Sequence, residues 1–311
     1  MGKFSFFKKT YLIKITRILF VNYILVSLNN IPEYIKYTIN SILSVDSDAK
    51  VYLFTDKKIE KLNNVEIVDI NEVISNQTKG IKDKDLFAGT IFDKNPLWET
   101  SLLRVFYLED IQKSLNLKQF IHFDNDVIVY KPFEKIKDSF KGNKLNITKP
   151  SNARIIFGYS FIDSFEALEY VNKSIIKLMD FGVSTNWEFN YKVPYNEMDY
   201  LGKAFNEDSK FFHTLPILPF ENKEQKLIFD PSSYGQYFDG THTSPKKLLY
   251  GRYINLDHYI GREIKVKRIK VRFKNSEPIV FWKKEKFELI NLHVHSKRLY
   301  KFLPKDYKEI V

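Results

Sequence analysis

The chain has 311 residues, of which 44% are hydrophobic, 28% are charged and 16% are aromatic, proportions typical of a folded soluble protein. This length suffices for one large α/β domain or two small ones. The absence of cysteine excludes disulfides, zinc-thiolate sites and thiol nucleophiles and suits a reducing compartment. The formal net charge of +11 favours phosphorylated ligands, anionic lipid or nucleic acid as partners.

Residues 1–20 form a basic, aromatic leader. Lys8, Lys9, Lys14 and Arg17 interrupt its apolar residues too often for a membrane-spanning helix. No small-residue cleavage site follows a clean apolar core. The alternatives are a membrane-surface anchor and a frayed basic segment. We therefore expect a cytoplasmic protein, with a peripheral contact to an anionic inner membrane face as the further expectation.

Residues 21–70 alternate between strand and helix patterns. The apolar run Tyr23–Ser27 predicts a buried first strand. The apolar residues of segment 35–43 recur at the spacing of one helix face. The runs Val51–Asp56 and Val65–Ile70 predict the second and third strands. This strand–helix–strand order predicts an α/β fold with a parallel, doubly wound sheet.

The middle of the chain is less regular. The polar segment 71–98 contains Gly and Pro and predicts a loop or a lid. A helix is expected over Glu99–Ile111, followed by the strand that ends at Asp124. Strong sheet signals fade after about residue 150, a helix is expected over Ser164–Asp180, and segment 185–245 is rich in aromatic and turn residues.

Residues 21–311 are expected to form a single domain with an elaborated C-terminal half. No internal repeat, low-complexity block or clear interdomain linker divides this part of the sequence. Its nucleotide-binding half would cover about 21–150 and its acceptor-side half about 151–311.

The run Gln119–Tyr130 has two carboxylates one residue apart between two apolar stretches. If this segment is extended, Asp124 and Asp126 point the same way, about 7 Å apart. Two carboxylates beside a hydrophobic strand need a cation to offset their charge. We interpret the pair as a metal and nucleotide-sugar site, with Asn125 between them in the same site. The alternative is an acidic turn at the end of a strand.

This segment resembles GT-A glycosyltransferases, particularly the glycogenin-like and galactosyltransferase-like group. That group has an apolar strand, Asp-x-Asp, a second apolar run and a polar or basic step, here Lys131-Pro132-Phe133. The resemblance implies a GT-A-type, Rossmann-like, mostly parallel sheet with helices on both faces. It also implies that Asp124 and Asp126 hold Mn²⁺ or Mg²⁺ on a nucleoside diphosphate, with a UDP-sugar favoured as donor.

Arg104 is the one charged residue between Glu99 and Glu109, in an otherwise apolar helix pattern. A buried guanidinium must find an anion. Segment 100–107 resembles the family helix that supplies an Arg to the donor site, so donor phosphate or sugar is the expected partner. An internal salt bridge is the alternative.

Segment 196–201 resembles the family's Asn-Asp-Gln-Asp segment, in which a carboxylate lies against the transferred sugar. Glu197 and Asp199 stand at the two acidic positions, and Met198 stands where the family has Gln. Both acids are therefore candidate catalytic residues. The alternative is a helix start that carries two acids.

Segment 287–297 predicts a strand on which His293 and His295 share one face. An imidazole can complete a metal shell that carboxylates begin. In the resembled group a late His ligates the metal and a Lys a few residues later contacts the diphosphate. Here either histidine is a candidate ligand, with His295 preferred, and Lys297 is the candidate phosphate contact.

Two further sets of polar residues are candidate contacts. Asp230, Gln236 and Asp239 lie in a segment rich in Gly and aromatic residues, which suits sugar binding or a packed loop. Ser27, Asn29 and Asp56 follow the first two strands, where this fold receives base and ribose.

Other classes of function fit less well. The sequence contains no Gly-x-Ser-x-Gly, Walker A or Rossmann glycine motif. We do not expect nucleic acid as a partner because the basic residues are scattered, apart from Lys265–Arg272, which has the pattern of a solvated edge strand.

A nucleotidyltransferase and a non-enzymatic polyanion- or carbohydrate-binding protein remain as alternatives. We predict a metal-dependent glycosyltransferase that acts on a glycan or lipid-linked acceptor. If the chain follows the resembled group, the configuration of the sugar is retained.

Overall fold

The computed structural model describes residues 21–180, 184–186, 191–193, 195–242 and 253–311. The leader predicted for residues 1–20 lies outside the described residues. Within the described parts of the chain, no helix combines the length and apolar character needed to cross a membrane.

The secondary structure is given in chain order. The strands are β1 (Asn22–Ser27), β2 (Lys50–Thr55), β3 (Val65–Asp69), β4 (Phe120–His122), β5 (Val127–Val129), β6 (Leu145–Thr148), β7 (Ile156–Ile162), β8 (Ser184–Asn186), β9 (Tyr191–Val193), β10 (Phe212–Thr214), β11 (Leu227–Ile228), β12 (Ile269–Lys274), β13 (Glu277–Trp282), β14 (Glu285–Leu289) and β15 (Asn291–His293). The helices are α1 (Ile35–Val45), α2 (Asn76–Lys82), α3 (Pro96–Ser114), α4 (Phe133–Ile136), α5 (Phe165–Asp180), α6 (Glu197–Glu207), α7 (Ser233–Asp239) and α8 (Tyr259–Lys265). Short 3₁₀ turns occur at Ile70–Glu72, Lys137–Ser139, Ser209–Phe211, Pro219–Glu221 and Leu299–Lys301.

The main sheet has seven strands in the order β10-β6-β7-β4-β1-β2-β3. The pairs β1–β2, β2–β3, β1–β4 and β6–β10 are parallel, and β7 is antiparallel to both of its neighbours. The predicted α/β class with a mostly parallel sheet is therefore confirmed. The strand order reverses between β1 and β4, and ligands of open α/β sheets bind at the carboxyl ends of strands at such a point.

Alternation along β1 divides the core between the two faces of the sheet. Tyr23 and Leu25 pack on the side of α1, whereas Ile24 and Val26 pack with α3, α5 and α6. The predicted strands and helix of residues 21–70 are confirmed, except that Ile70 begins a 3₁₀ turn instead of ending β3.

The segment expected to be a loop from 71 to 98 contains a helix, so that expectation is wrong over α2. Ser75 caps α2 by accepting the N–H of Thr78 at 3.2 Å, and the Asp110 carboxylate accepts the N–H of Ser75 at 2.9 Å. The helix expected from Glu99 begins earlier, at Pro96, because the Asn95 side chain caps it. Capping bonds therefore stabilise helical structure that apolar periodicity did not indicate.

Sheet structure also continues past residue 150, contrary to the expectation. β7 is buried along its whole length in the main sheet. A second sheet has the order β11-β14-β13-β12 and is built from two antiparallel hairpins, with β11 parallel to β14. The basic segment that was expected at an edge contributes β12, which lies at the edge of this second sheet.

The strand β15 pairs with β5 in a separate two-stranded sheet. The pairing is antiparallel, with Asn291 opposite Val129 and His293 opposite Val127. The strand predicted over 287–297 is thus two strands with a break at Ile290. This pairing places His293 beside the turn that follows β4.

Candidate metal centre

Asp124 and Asp126 lie in the turn between β4 and β5, at the carboxyl end of β4. The prediction of an extended strand through both residues is wrong because the chain leaves the main sheet after β4. The N–H of Asp124 donates to the Phe157 carbonyl at 3.1 Å, and the Asn125 amide donates to the Val26 carbonyl at 2.8 Å. These bonds hold the turn at the crevice between β1 and β4.

His293 completes a group of three side chains that converge there. Its Nε2 lies 3.1 Å from Asp126 Oδ1 and 3.5 Å from Asp124 Oδ2. One ligand atom from each of the three residues lies within 4.8 Å of the others. The N–H of Val294 donates to the Asp126 carbonyl at 2.8 Å, which ties the end of β15 to the turn.

The donor set fits a divalent cation. Nε2 of His293 faces two carboxylates, an arrangement that needs a proton or a metal ion between nitrogen and oxygen. The other ring nitrogen, Nδ1, is buried and has no hydrogen-bond partner. Two carboxylates and one imidazole suit Mn²⁺, and carboxylates alone also suit Mg²⁺. Asp126 and His293 are buried, so a cation would offset charge that is shielded from water.

His295 is not part of this group, so the preference for His295 as the metal ligand is wrong. Its ring stacks on His242 with 5.2 Å between centroids, and its centroid lies 5.8 Å from that of His293. The strand ends at His293, so the alternation that predicted a shared face stops there. Among the described residues, only Asp124, Asp126 and His293 form a metal-ligand group.

Lys297 lies beside the carboxylate group. Its Nζ is 2.5 Å from Asp126 Oδ2 and 5.5 Å from the centroid of the Tyr34 ring. Its backbone has φ of 65°, uncommon for a residue other than glycine, and its N–H donates to the Val294 carbonyl at 2.8 Å. This tight turn after β15 returns the ammonium group to the site. Sequence reasoning missed Tyr34, which lies in the turn directly before α1 and belongs to no motif.

The carboxylates and the basic side chains of this site stabilise each other's charged forms. Burial disfavours a charged Asp126, but His293 and Lys297 hold the pKa of Asp126 well below its usual value. Burial likewise disfavours the imidazolium, but Asp126 and Asp124 raise the pKa of His293 to about 9. Without a metal ion the carboxylates are therefore ionised and neutralised by protein cations. A divalent cation would take over that role and displace the proton of His293.

Arg104, on α3, joins Asp124 to a second acid. Its Nη1 forms an ion pair with Asp124, and its Nη2 lies 2.8 and 2.9 Å from the two Glu197 oxygens. The guanidinium carbon lies 5.5 Å from the Phe157 ring centroid, and Nε is buried without a partner. The internal salt bridge, which was the alternative to the expected donor contact, is present and lies within the site. Contact of Arg104 with a donor stays a prediction.

Glu197 and Asp199 are both at the start of α6 but face different partners. Glu197 is buried against Arg104, and burial raises its pKa to about 7 although the guanidinium opposes the rise. Asp199 forms a capping box with Asn196 and accepts a bond from Arg154 Nε at 3.1 Å. Of the two predicted catalytic acids, the structure brings only Glu197 to the centre.

The residues predicted to meet the base and ribose lie at the same edge of the sheet. Ser27 ends β1, and its hydroxyl donates to the Asn30 carbonyl at 2.9 Å. Asp56 follows β2 and accepts the N–H of Asn29 at 2.9 Å. These bonds join the loops after β1 and β2 next to the turn that carries Asn125.

Asp230, predicted to contact sugar hydroxyls, is instead fully buried. Oδ1 accepts the N–H groups of Ser232 and Tyr234, both at 2.9 Å. Oδ2 accepts those of Gly235 at 2.9 Å and of His293 at 3.0 Å. No oxygen remains exposed for a sugar, so the sugar-contact prediction is wrong for Asp230. The carboxylate fixes the start of α7 and the backbone of the metal ligand.

Gln236 and Asp239 are also buried in protein contacts. Gln236 bonds to Ser232 and Asn255. Asp239 accepts bonds from Ser296, Arg298 and Lys301 at 2.7, 2.7 and 3.3 Å. Burial of both side chains contradicts their predicted contact with a sugar. Asp239 anchors the segment that carries Lys297.

Comparisons with known proteins give matches among solved structures only. The chain is similar to mouse xyloside xylosyltransferase 1, with 11% identity over 63% of this chain and 85% of that one and a TM-score of 0.39. It is similar to glycosyltransferase GlyE of Streptococcus pneumoniae, with 12% identity over 63% of this chain and 45% of that one and a TM-score of 0.38. It is also similar to galactosyltransferase LgtC, solved with donor and acceptor sugar analogs, with 12% identity over 59% of this chain and 70% of that one and a TM-score of 0.37.

No protein-family model and no curated protein sequence matches the chain. All three of these solved structures are named as glycosyltransferases. The sequence motifs of this chain resemble the same class of enzyme. At such low identities and TM-scores, they assign neither residues nor activity to this chain.

Proposed function

We propose that the protein is a metal-dependent glycosyltransferase that moves a sugar from a nucleoside-diphosphate sugar to a hydroxyl of a glycan or lipid-linked acceptor. The convergence of Asp124, Asp126 and His293 at the carboxyl ends of β1 and β4 carries this proposal. Lys297 and Arg104 flank these ligands. A site with this composition can hold a diphosphate through a cation and two basic side chains.

Asp124, Asp126 and His293 would hold Mn²⁺ or Mg²⁺, with Mn²⁺ favoured by the imidazole. When bound, the cation neutralises charge on the leaving diphosphate. In the structure, the ammonium of Lys297 neutralises the Asp126 carboxylate. With Asp126 on a cation, the ammonium of Lys297 would be free to contact a phosphate oxygen.

Arg104 and Glu197 would act on the sugar side of the centre. Arg104 holds both Glu197 oxygens and so fixes the carboxylate beside Asp124. A carboxylate in that position can stabilise positive charge that develops on the transferred sugar. We propose retention of configuration, with Glu197 in this electrostatic role. An inverting reaction would instead need a carboxylate base.

The loops after β1 and β2 would receive the base and ribose of the donor, with a UDP-sugar as the proposed donor. Ser27, Asn29, Asp56 and Asn125 lie on these loops and the adjoining turn. We propose that residues 21–150 bind the nucleotide and residues 151–311 bind the acceptor within a single domain. A cytoplasmic location, with residues 1–20 on the anionic inner membrane face, is part of the same proposal.

Calorimetric titration of UDP and GDP, each with and without Mn²⁺, tests the donor site. We expect one nucleotide to bind wild type only with Mn²⁺, and not to bind Asp124→Ala/Asp126→Ala. The nucleotide-sugar of that base should then be hydrolysed slowly without acceptor. Absence of metal-dependent binding to either nucleotide would overturn the proposal. Release of pyrophosphate from a nucleoside triphosphate would favour a nucleotidyltransferase.

A further inference from the structure

One end of the second sheet brings two basic turns together. In the β12–β13 pairing Ile269 lies opposite Trp282. The segment before β12, with Val266 and Lys267, and the turn after β13, with Lys283 and Lys284, therefore lie at the same end of this strand pair. The 3₁₀ turn at Pro219–Glu221 reaches the same place through Phe220. We call this surface the sheet-end patch; its members are Phe220, Lys223, Val266, Lys267, Trp282, Lys283 and Lys284.

The patch exposes apolar side chains. Val266 is 59% exposed and Phe220 is 42% exposed, high values for large hydrophobic residues. The Trp282 ring lies 6.2 Å from the ring of Phe220 and 6.4 Å from that of Phe287, which is buried in the core of the second sheet. Trp282 thus rests on the core and faces the surface, as an amphipathic anchor does.

Lysines surround this apolar centre. The Nζ atoms of Lys283 and Lys223 lie 4.7 and 5.5 Å from the centroid of the Trp282 ring. Lys267 and Lys284 are exposed, and both have positive φ, at 59° and 70°, so they occupy tight turns. Within the described ranges, no carboxylate lies at ion-pair distance from any of these four lysines.

Two acids near the patch have other partners. Glu285 pairs with Lys226 at 2.9 Å, and Glu263 pairs with Arg268 at 3.3 Å. Glu221 and Glu224, which lie close to Lys223 in sequence, are exposed. With four lysines against these two glutamates, the patch keeps an excess of positive charge around exposed apolar groups.

We propose that the sheet-end patch docks on the surface of an anionic phospholipid bilayer. Tryptophan is enriched at the headgroup level of bilayers, phenylalanine contributes to apolar faces that enter the interface, and lysines near an anionic leaflet each add attraction. Base stacking by nucleic acid needs open aromatic faces, whereas ammonium groups stand by Trp282. This contact is separate from residues 1–20 and does not depend on the proposed function.

Fluorescence of Trp282 tests the contact at its centre. The chain has three tryptophans, so Trp98→Phe/Trp187→Phe leaves Trp282 as the one reporter in the full chain. We expect a blue shift of emission with vesicles of phosphatidylglycerol and phosphatidylcholine, and none with phosphatidylcholine alone. Vesicle binding without a shift would place the contact elsewhere, such as residues 1–20, and would overturn the proposal.

Reversing the charge of two lysines of the patch is a second test of the membrane contact. We expect Lys283→Glu/Lys284→Glu to weaken partitioning to anionic vesicles by about tenfold or more, since each lysine contributes about fivefold. Lys82→Glu/Lys84→Glu, the same charge change on exposed lysines at the end of α2 and in the turn that follows it, is the matched control and should have little effect. Equal loss in both variants would show general charge attraction and contradict a specific patch.

A third variant separates folding from docking. Phe220→Ser/Val266→Ser removes exposed apolar groups only, so its thermal unfolding should match wild type while its blue shift is reduced. An unchanged shift would contradict the proposed apolar contact. RNA serves as a competitor in the same assay. If RNA displaces the protein from vesicles and shifts the Trp282 emission more than lipid does, the patch is a nucleic-acid site instead.

Discussion

Two buried aspartates contact His293, one through its imidazole and the other through its backbone N–H. Asp126 is 2% exposed and contacts the imidazole Nε2 at 3.1 Å. Asp230 is fully buried and contacts the backbone N–H of the same residue at 3.0 Å. The Asp126 side of β15 contains side-chain cations, whereas the Asp230 side contains main-chain donors from α7.

This difference separates a binding role from an architectural one. The partners of Asp126 are His293 and Lys297, which a divalent cation can replace. Four N–H groups saturate Asp230, and replacing any of them would require the backbone to move. Burial alone therefore does not identify a functional carboxylate; the nature of its donors does.

The largest expected effect is on the binding side. We expect Asp126→Asn to lower nucleotide-sugar hydrolysis and transfer by at least about 10²–10³-fold, the loss typical of removing charge stabilisation at a reacting centre. Its free energy of unfolding should fall by only about 1 kcal/mol, because removing a buried charge offsets part, but not all, of the lost attraction to His293 and Lys297. Steady-state rates and urea unfolding check both. A rate within tenfold of wild type would show that Asp126 does not have the binding role that distinguishes it from Asp230.

Asp230→Asn should show the opposite result. An amide accepts through one atom only, so two of the four N–H bonds are lost. The free energy of unfolding should fall by about 3 kcal/mol. Urea unfolding measures this, with Asp306→Asn as the exposed control. A variant as stable as wild type would show that Asp230 is not architectural.

A histidine that contacts α7 should contribute to the loss of folding stability at low pH. His258 bonds to the Ser233 hydroxyl at 2.7 Å, and burial lowers its pKa to about 4. The unfolded chain, with a histidine pKa of about 6.5, binds more protons between these values, so stability falls as pH falls. The expected loss at pH 5 is about 2 kcal/mol.

Urea unfolding at pH 7 and pH 5, on wild type and His258→Gln, measures this contribution. Gln cannot take up the proton, so the variant should lose less stability between the two pH values. The same loss in both proteins would mean that His258 does not contribute to the pH dependence.

The smallest effect distinguishes the two acids of α6. Asp199→Ala removes half of the capping box and should cost about 1 kcal/mol of stability without lowering the rate of hydrolysis. Glu197→Gln should lower that rate because the residue faces Arg104 and Asp124. Thermal unfolding and rates on both variants check this. A loss of rate in Asp199→Ala but not in Glu197→Gln would assign the reaction to Asp199 and not to Glu197.

Local patterns predicted the part of the molecule in which neighbours in sequence are neighbours in space. Alternation in β1 and the apolar stripe of α1 give the first strand and helix. The resemblance carried by Asp124, Asp126, Arg104 and Glu197 identified residues that the structure brings together.

The remaining features depend on distant contacts. The choice between His293 and His295 follows from pairing of β15 with β5, more than 160 residues earlier in the chain. The role of Asp230 follows from the close approach of α7 to β15, where a Cβ on Gly235 would lie 1.8 Å from the His293 carbonyl oxygen. Neither contact leaves a periodic signal in the sequence.

Nitrogen coordination of Mn²⁺ tests the central claim most directly. Pulsed electron paramagnetic resonance on the full chain with Mn²⁺ and UDP, or GDP if that nucleotide binds, detects ligation by an imidazole. We predict one histidine nitrogen coupled to Mn²⁺ in wild type and in His295→Gln, and none in His293→Gln. Coupling that survives in His293→Gln and disappears in His295→Gln, or is absent from wild type, would contradict the account.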